Sequence, residues 1–341
     1  MAQTTGRLQS LFLAWIFPVM DTETRNPLTG MRVLITCPPM LACAEEWRSE
    51  FDTRGVELVL PDVIQTLPED ALVELVPSCD GWIIGDDPVT RAVLRAGRDG
   101  VLKAAVRWGV GTDNIDFNAA RELGFEIKNT PGMFGAEVAD VAMAYVTCLA
   151  RSIIDIDRGV RAGEWPKPRG KSLSALTMGI IGYGDIGKNL ALRAVAAGMA
   201  VIAVDPTLEV GQELGDVTSG EWPEAVGQCD VLVFTCALTN SNWHMLDAAV
   251  LALARDGVFV VNVARGPLID EGALCSALIS GRVGGAALDV MENEPLLATS
   301  KLRTLENCVF GTHNASNTWE AVGRTNRKAM TLLWAALEGN P

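Results

Sequence analysis

Short apolar runs alternate with amphipathic segments along the chain from Met31 onward. The runs MRVLIT, VELVL, GWIIG and LKAAVRW are typical of β-strands, and helix-like stretches at residues 44–54, 69–76 and 90–96 separate them. Strands that alternate with helices form parallel α/β units. This part of the chain therefore predicts a parallel sheet flanked by helices.

The middle of the chain carries the clearest change in composition. Residues 134–150, FGAEVADVAMAYVTCLA, are rich in alanine with apolar residues at helical spacing, which predicts a long buried helix. The polar stretch GEWPKPRGK at residues 163–171 has the Pro and Gly content of a linker.

A second α/β run begins at Leu176. Its predicted strands read LTMGIIG, MAVIAVD, DVLVFTC, GVFVVNV and GGAALDV, followed by the short strand CVFGTH. The five longer runs are almost continuously apolar, as expected of parallel strands that are covered on both faces. Residues 318–337 predict a terminal helix, so the pattern gives two α/β halves of similar style.

The first thirty residues differ from this pattern. Residues 11–20, LFLAWIFPVM, resemble a weak signal-peptide core, but the run is far shorter than the roughly 20 residues that span a bilayer. Asp21 and Glu23 follow at once, and no small-x-small cleavage site is present. We therefore expect residues 1–30 to be a disordered extension, or to result from an upstream start codon, rather than a secretion signal.

Composition narrows the class of protein. The chain has 341 residues, with 28 Lys and Arg against 42 Asp and Glu, which gives a net charge of −14. This length favours two domains, and the acidic balance disfavours nucleic acids and anionic membranes as partners. The eight cysteines include no C-x-x-C pair, which indicates free thiols in a reducing compartment, and we expect a cytoplasmic protein. With only two histidines as well, no metal site is predicted.

A glycine-rich motif follows the strand LTMGII and precedes a helical run; it reads Gly182-Tyr183-Gly184-Asp185-Ile186-Gly187. In this strand–turn–helix context, G-x-G-x-x-G indicates a dinucleotide-binding turn. The first glycine permits the tight turn, the second lets the backbone approach a pyrophosphate, and the third lets the helix pack closely. Asp205 ends the next strand, where an acidic residue accepts hydrogen bonds from the ribose hydroxyls. This carboxylate would repel a 2′-phosphate, so NAD is favoured over NADP.

Three charged residues follow predicted strands late in the chain, where open parallel sheets bind ligands: Arg265, Glu294 and His313. A guanidinium can hold a substrate carboxylate, an imidazole can exchange a proton near neutral pH, and a carboxylate can orient that imidazole. The set suits hydride transfer on a 2-hydroxy or 2-oxo acid. Asp289 ends the strand-like run AALDV, where its side chain either faces the nicotinamide or only turns the chain, and the context favours the former. For His244 we expect a helix-entry or packing role.

Several ordered motifs now coincide: GIIGYGDIGKNLALRAVAAGMAVIAVDP around the glycines, VNVARGPLIDEGAL with Arg265, ALDVMENEPL with Glu294, THNAS with His313, and GVGTDNIDFNAARELG with NTPG upstream. From Met31 to its C-terminus, the chain resembles the D-isomer-specific 2-hydroxyacid dehydrogenases, a family that includes phosphoglycerate dehydrogenase-like enzymes. The resemblance implies an α/β fold of two Rossmann-like, doubly wound parallel-sheet domains with a cleft between them.

The resemblance also implies how the chain is divided. A discontinuous substrate domain would comprise residues 31–129 and 312–341, and an NAD-binding Rossmann domain would comprise residues 130–311. A homodimer is implied, with the helix at residues 134–150 and the segment at 164–166 near the partner. No C-terminal regulatory domain of the kind found in some family members is expected after the terminal helix.

The activity implied is NAD-dependent interconversion of a D-2-hydroxy acid and its 2-oxo acid, by hydride transfer. Arg265 would hold the substrate carboxylate together with the backbone N–H groups of Gly109, Val110 and Gly111. Glu294 would pair with His313, which would carry the proton. The predicted cofactor contacts are Gly182, Gly184, Asp185, Ile186, Gly187, Asp205, Cys236, Val263, Ala264, Arg265, Asp289 and His313. An NAD(H)-sensing binding protein of the same fold is the alternative, but no basic or motif-rich tail supports it.

Two departures from the family pattern bear on ligand binding. In FTCALT, Thr235 and Ala237 stand where the family commonly has His and Pro, which affects the wall of the cofactor pocket. Phosphoglycerate enzymes carry arginines after the strand that reads GWIIG here, whereas this chain has Asp86 and Asp87. Because two carboxylates are poor partners for a phosphate, we expect a substrate other than 3-phosphoglycerate, with Arg107 as the one feature that could support it. Formate dehydrogenases have Gln where this chain has Glu294, so that activity is disfavoured.

Overall fold

The protein is described here by a computed structural model that covers residues 26–339. Within these residues the strands form two separate, wholly parallel sheets. The strands of the first sheet are β1 (Arg32–Ile35), β2 (Glu57–Val59), β3 (Gly81–Ile84), β4 (Ala104–Arg107) and β5 (Ile127–Asn129). The strands of the second sheet are β6 (Thr177–Ile181), β7 (Ala200–Val204), β8 (Val217–Gly220), β9 (Val231–Phe234), β10 (Val258–Asn262), β11 (Val283–Leu288) and β12 (Cys308–Phe310).

The α-helices connect these strands. They are α1 (Pro38–Leu41), α2 (Ala44–Arg54), α3 (Glu69–Leu75), α4 (Arg91–Asp99), α5 (Phe117–Glu122), α6 (Gly135–Arg151), α7 (Ile153–Arg161), α8 (Asp185–Ala196), α9 (Ala248–Leu253), α10 (Glu271–Ser280) and α11 (Trp319–Leu337). The stretch between α7 and β6 that was predicted as a linker has no α-helix or strand.

Both sheets are doubly wound. The first has the strand order β2-β1-β3-β4-β5 and the second has the order β12-β11-β10-β9-β6-β7-β8. In each, the order reverses next to the first strand, and ligands bind outside the carboxyl ends of the strands at such a point. The predicted fold class, two doubly wound parallel-sheet domains, is confirmed.

Strand burial follows the hydrophobic pattern. All four residues of β3 and all four of β9 are buried, as their continuous apolar runs predicted. The edge strand β8 escaped the sequence analysis because its residues, VTSG, contain a single apolar side chain. A short polar strand at a sheet edge has no hydrophobic periodicity by which to recognise it.

The terminal helix α11 packs on the first sheet, so the chain returns to its first half after completing the second. Gly81 of β3 allows this close approach, since a Cβ there would lie 3.2 Å from Leu333 Cδ1. The Trp108 indole N–H donates to Asn326 Oδ1 of the helix at 2.7 Å. Thr318 caps the helix by accepting from Ala321 N. The predicted domain limits at residues 129/130 and 311/312 stay a prediction.

The predicted disordered extension at residues 1–30 is wrong for its last five residues. Residues 26–30 form a turn in which Leu28 is fully buried and Gly30 N donates to Gly55 O at 2.8 Å. A buried leucine anchors this segment to the first domain, because removing its side chain from water is favourable. The signal-like run at residues 11–20 lies outside the described residues.

Between residues 26 and 339, none of the helices has the length and apolar character needed to cross a bilayer. The eight cysteines are free thiols, and five of them are buried: Cys37, Cys79, Cys229, Cys275 and Cys308.

Candidate active site

The glycine motif forms the turn between β6 and α8. Gly182 has φ +101°, and a Cβ there would lie 2.6 Å from the backbone of Cys236. At Gly187 a Cβ would lie 2.1 Å from the carbonyl oxygen of Gly182, so only glycine lets the helix pack this closely on the turn. A Cβ on Gly184, in contrast, would meet nothing within 4 Å. The turn is thus tight on its inner side and open at Gly184, as a pyrophosphate at the N-terminus of α8 requires.

Asp205 lies beside this turn, directly after β7. Its Oδ2 accepts from Tyr183 N at 2.8 Å, and its Oδ1 accepts from Thr207 N at 3.0 Å and from Thr207 Oγ1 at 2.6 Å. Partial burial acts to raise its pKa, but these hydrogen bonds outweigh burial and keep the pKa below its usual value. Asp205 is therefore a fixed carboxylate next to the glycine turn, in the position that suits an adenosine ribose.

The remaining predicted cofactor residues differ in how close they lie to the glycine turn and in how deeply they are buried. Cys236 lies against Gly182, and Val263 and Ala264 line the buried turn after β10. Ile186 is only partly buried on the first turn of α8. Asp185 turns toward α6, where a Cβ on Gly135 would lie 2.4 Å from the Asp185 carboxylate.

Asp289 lies directly after β11 and makes several hydrogen bonds within the chain. Its side chain is 2% exposed, and Oδ2 accepts from Ala315 N at 2.9 Å. Oδ1 accepts from Asn314 N and from the Tyr145 hydroxyl, each at 3.3 Å. These bonds anchor the loop that follows β12, while a contact with the nicotinamide stays a prediction.

His313 and Glu294 meet across two of these loops. The His313 Nδ1 atom lies 2.8 Å from Glu294 Oε2, while Glu294 Oε1 accepts from Met291 N at 3.0 Å. His313 has φ +55°, a left-handed conformation that is uncommon for a histidine, and its N–H donates to the Asp289 carbonyl. With Nδ1 facing Glu294, the other ring nitrogen, Nε2, is left to reach a ligand.

The proton affinity of His313 reflects several neighbours. Burial lowers its pKa, but the hydrogen bond to Glu294 and the charges of Asp86 and Glu294 outweigh burial, so the pKa is raised. The Arg265 charge acts in the opposite direction. The raised pKa favours the protonated imidazole, which is the form that can donate a proton.

Arg265 extends from the turn after β10 into the same cleft. Its Nε lies 2.9 Å from Asp113 Oδ1, and its Nη2 lies so close to Gly111 that a Cβ there would be 1.7 Å away. Asn262 closes the turn, since its side chain donates to Arg265 O and accepts from Ala264 N. The guanidinium is thus fixed against the glycine loop that was predicted to bind a carboxylate.

That glycine loop differs from the prediction in one respect. The Gly109 N–H already donates to Thr130 Oγ1 at 2.8 Å, so it is not available to a ligand. The backbone N–H groups of Val110 and Gly111 make no hydrogen bond to any part of the chain that the structure describes. The predicted anion cradle is therefore reduced to two donors beside Arg265.

Two polar residues of this cleft, Gln65 and Asp113, were not singled out from the sequence, and Asp86 and Arg107 were considered only for their bearing on a substrate phosphate. Gln65 Nε2 lies 3.1 Å from Glu294 Oε2, and Asp86 pairs with the buried Arg107. Asp86 follows β3 at a strand carboxyl end, so the rule that located Arg265 and Glu294 could have found it. Gln65 lies in a loop without any motif, and no sequence signal marks it.

His244 lies outside this arrangement. Its Nε2 lies 3.1 Å from Glu292 Oε1, and its backbone N–H donates to Pro267 O at 2.8 Å. These contacts join the loop after β9 to neighbouring loops, in line with the packing role expected for this residue.

The sequence and the fold both match known proteins. A sequence model described as "D-isomer specific 2-hydroxyacid dehydrogenase, NAD binding domain" matches residues 143–315. A hydroxypyruvate reductase from Thermotoga maritima is 36% identical over 279 residues, which are 80% of this chain and 89% of the relative. A D-3-phosphoglycerate dehydrogenase from Methanocaldococcus jannaschii is 35% identical over 76% of this chain, which spans about half (50%) of that relative. A crystal structure of the TT0316 protein from Thermus thermophilus superposes with a TM-score of 0.79 at 29% identity, covering 91% of this chain and 98% of that one.

The fold and the matches define a class of two-domain dehydrogenases that use NAD and act on CH–OH groups. The chain belongs to the D-isomer specific 2-hydroxyacid dehydrogenase family.

Proposed function

We propose that the protein reduces a small 2-oxo acid to the D-2-hydroxy acid with NADH, and catalyses the reverse reaction with NAD. The observation that supports this most is the 2.8 Å contact between His313 Nδ1 and Glu294 Oε2, with Arg265 in the same cleft. An imidazole paired with a carboxylate and close to a guanidinium can protonate a carbonyl oxygen whose neighbouring carboxylate the guanidinium holds.

The residues divide the work of the reaction. Arg265 and the N–H groups of Val110 and Gly111 bind the substrate carboxylate and orient the carbonyl. The glycine turn and Asp205 would hold NADH, which would supply the hydride that the carbonyl carbon accepts. His313 gives its Nε2 proton to the carbonyl oxygen, and Glu294 stabilises the protonated ring before transfer. In the oxidising direction neutral His313 removes the hydroxyl proton.

The structure of the first domain bears on the substrate. Arg107 is 4% exposed and its guanidinium is engaged by Asp86 and by backbone carbonyls, so it cannot hold a phosphate. Burial acts to raise the pKa of Asp86, but Arg107, His313 and Arg265 outweigh it and the pKa is lowered. Because an ionised carboxylate in the cleft repels a second anionic group, we propose a substrate with a single negative charge.

The experiment that tests this function measures NADH oxidation with a panel of 2-oxo acids. Glyoxylate, pyruvate and hydroxypyruvate represent singly charged substrates, and oxaloacetate and 3-phosphohydroxypyruvate carry a further anionic group. We expect turnover with at least one member of the first set and a lower kcat/KM with both members of the second. Binding of NADH without turnover of any 2-oxo acid would favour the NAD(H)-sensing alternative.

Substitution of Asp205 is expected to relax the choice of cofactor. In Asp205→Ala, we expect the preference for NADH over NADPH to fall by about tenfold or more, since each 1.4 kcal/mol of repulsion removed from the 2′-phosphate is a factor of ten. The ratio of the two dissociation constants, measured by fluorescence titration, requires no substrate. Asp216→Ala removes an exposed carboxylate of the same region and is the matched control. An unchanged ratio would show that Asp205 does not face the ribose.

We also infer a homodimer. Helix α7 has no buried residue, and its Ile153 and Val160 are exposed. Trp165 in the segment that follows is 76% exposed. Large apolar side chains that stay exposed on one helix and the segment after it are typical of an interface. Light scattering is expected to give about twice the chain mass of 36.4 kDa, and a monomer would contradict the inference.

A further inference from the structure

Three side chains converge on the Nδ1 edge of His313. Glu294 of the second domain is the closest, with Oε2 at 2.8 Å. The other two come from loops of the first domain, with Gln65 Nε2 at 3.3 Å and Asp86 Oδ2 at 4.0 Å from the same nitrogen. Loops that follow strands of both sheets therefore meet at the His313 imidazole.

Asp86 is held in a defined orientation. Its Oδ1 lies 2.5 Å from Arg107 Nη2, and the rest of that guanidinium donates to backbone carbonyls, including Gly111 O at 3.0 Å. Since Arg107 is buried and engaged on each nitrogen, it cannot follow Asp86 to another position. The second oxygen, Oδ2, is thus left facing the imidazole.

The two loops that carry Gln65 and Asp86 are joined by a buried carboxylate. Asp87, which is fully buried, accepts from Gly85 N at 3.1 Å in its own loop and from Leu67 N at 2.8 Å in the neighbouring loop. Thr36 Oγ1 also donates to it. Because a buried carboxylate with these bonds is costly to disrupt, the two loops present Gln65 and Asp86 as one rigid unit.

Gln65 connects the two carboxylates. Its Nε2 lies 3.1 Å from Glu294 Oε2 and 3.5 Å from Asp86 Oδ2. An amide nitrogen has two N–H donors, one for each carboxylate. Gln65 therefore keeps the two negative groups on the same side of the imidazole without neutralising either.

The charged groups that face His313 act in both directions. Glu294 and Asp86 favour its protonated form, whereas Arg265 and burial disfavour it. An opposite charge about 4 Å away is a strong influence in a site largely shielded from water, even when an arginine neutralises part of it.

We propose that Asp86 is a positioning residue for proton transfer, which the first domain provides as a second carboxylate beside His313. This inference rests on the proposed function, because it takes His313 as the proton donor. Its consequence is that the imidazole has its full proton affinity only where the loops that carry Gln65 and Asp86 meet the loop that carries Glu294. The proton donor, His313 with its two carboxylates, is thus formed where loops of the two sheets come into contact. The proposed substrate site lies at the same place.

The direct test is an NMR titration of the histidine rings. The chain has only two histidines, so ring-labelled protein gives two sets of signals, and His244→Asn identifies those of His313. In Asp86→Asn we expect the pKa of His313 to fall by about one unit relative to the wild-type protein. Asp86→Glu, which keeps the charge, should restore most of the shift. Asp62→Asn, an exposed carboxylate in the loop before α3, should leave the titration unchanged.

Kinetics provide the second measurement. The pH profiles of kcat/KM for reduction and for oxidation should both move their inflection to lower pH in Asp86→Asn, and by the same amount, because one group controls both directions. A substitution that merely disturbed packing would lower both profiles without moving the inflection. If Asp86→Asn fails to fold, Asp86→Ser provides a second neutral side chain.

The outcomes separate the two proposals. A His313 titration that is unchanged in folded Asp86→Asn or Asp86→Ser protein overturns the role of Asp86. A wild-type protein that turns over no 2-oxo acid overturns the proposed function, yet the NMR titration still reports whether Asp86 acts on His313.

Discussion

Replacing His313 by asparagine is expected to lower kcat/KM for 2-oxo acid reduction by about 10²- to 10⁴-fold, the usual contribution of a positioned general acid. His313 is the imidazole that faces the cleft, and Glu294 holds its Nδ1 at 2.8 Å. Asparagine suits the test because it tolerates the left-handed backbone, φ +55°, that this position requires. The loss should be in kcat/KM, while NADH binding, measured by fluorescence titration, stays close to that of the wild-type protein.

The chain offers a matched control for this substitution. His244 also has a left-handed backbone, φ +52°, but pairs with Glu292 outside the site. His244→Asn should therefore change kcat/KM by no more than a few-fold. Equal losses in the two variants would mean that His313 acts through folding rather than through its proton. The pH profile gives a further check: the wild-type rate of reduction should fall as pH rises through the raised pKa of His313, and the residual rate of His313→Asn should lose this dependence.

Replacing Arg265 by lysine is expected to lower kcat/KM by about 10²- to 10³-fold, the cost of losing a preorganised donor in a shielded site. Lysine keeps the positive charge but lacks the several N–H donors of a planar guanidinium. It therefore cannot pair with Asp113 and bind a substrate carboxylate at the same time. Because Asp113 lies 2.9 Å from Arg265 Nε, the carboxylates of Asp113 and of the substrate would compete for a lysine ammonium. We expect both a raised KM and a lowered kcat, since misplacing the carboxylate also misplaces the carbonyl.

Arg255→Lys is the matched control, because it makes the same exchange of guanidinium for ammonium at another arginine. Arg255 pairs with Asp230 at 3.0 Å and precedes β10, whereas Arg265 follows that strand. Arg255→Lys should leave kcat and KM nearly unchanged, as expected for an exposed ion pair. If Arg265→Lys behaved in the same way, the guanidinium would have no part in binding the substrate carboxylate.

Much of the fold could be predicted from local patterns. The strands β3 and β9 were recognisable because parallel strands covered on both faces are continuously apolar. The turn at Gly182–Gly187 was recognisable because its chemistry depends on residues that are adjacent in the chain. Edge strand β8, whose residues are mostly polar, had no such signal.

In the candidate site, too, some features could be predicted from local sequence patterns and others could not. By itself, the sequence determined the two α/β halves, the glycine turn with its neighbouring Asp205, and the candidates Arg265, Glu294 and His313, because each follows from a local pattern, a short motif or a position after a strand. The doubly wound arrangement of the sheets was predicted from the resemblance to a family. Only the tertiary structure decided that Gln65 and Asp86 reach His313, that Asp113 shares Arg265, and that Thr130 occupies the Gly109 N–H. These contacts join loops that are far apart in the chain. Their geometry depends on how two sheets and their loops come together, which no local spacing records.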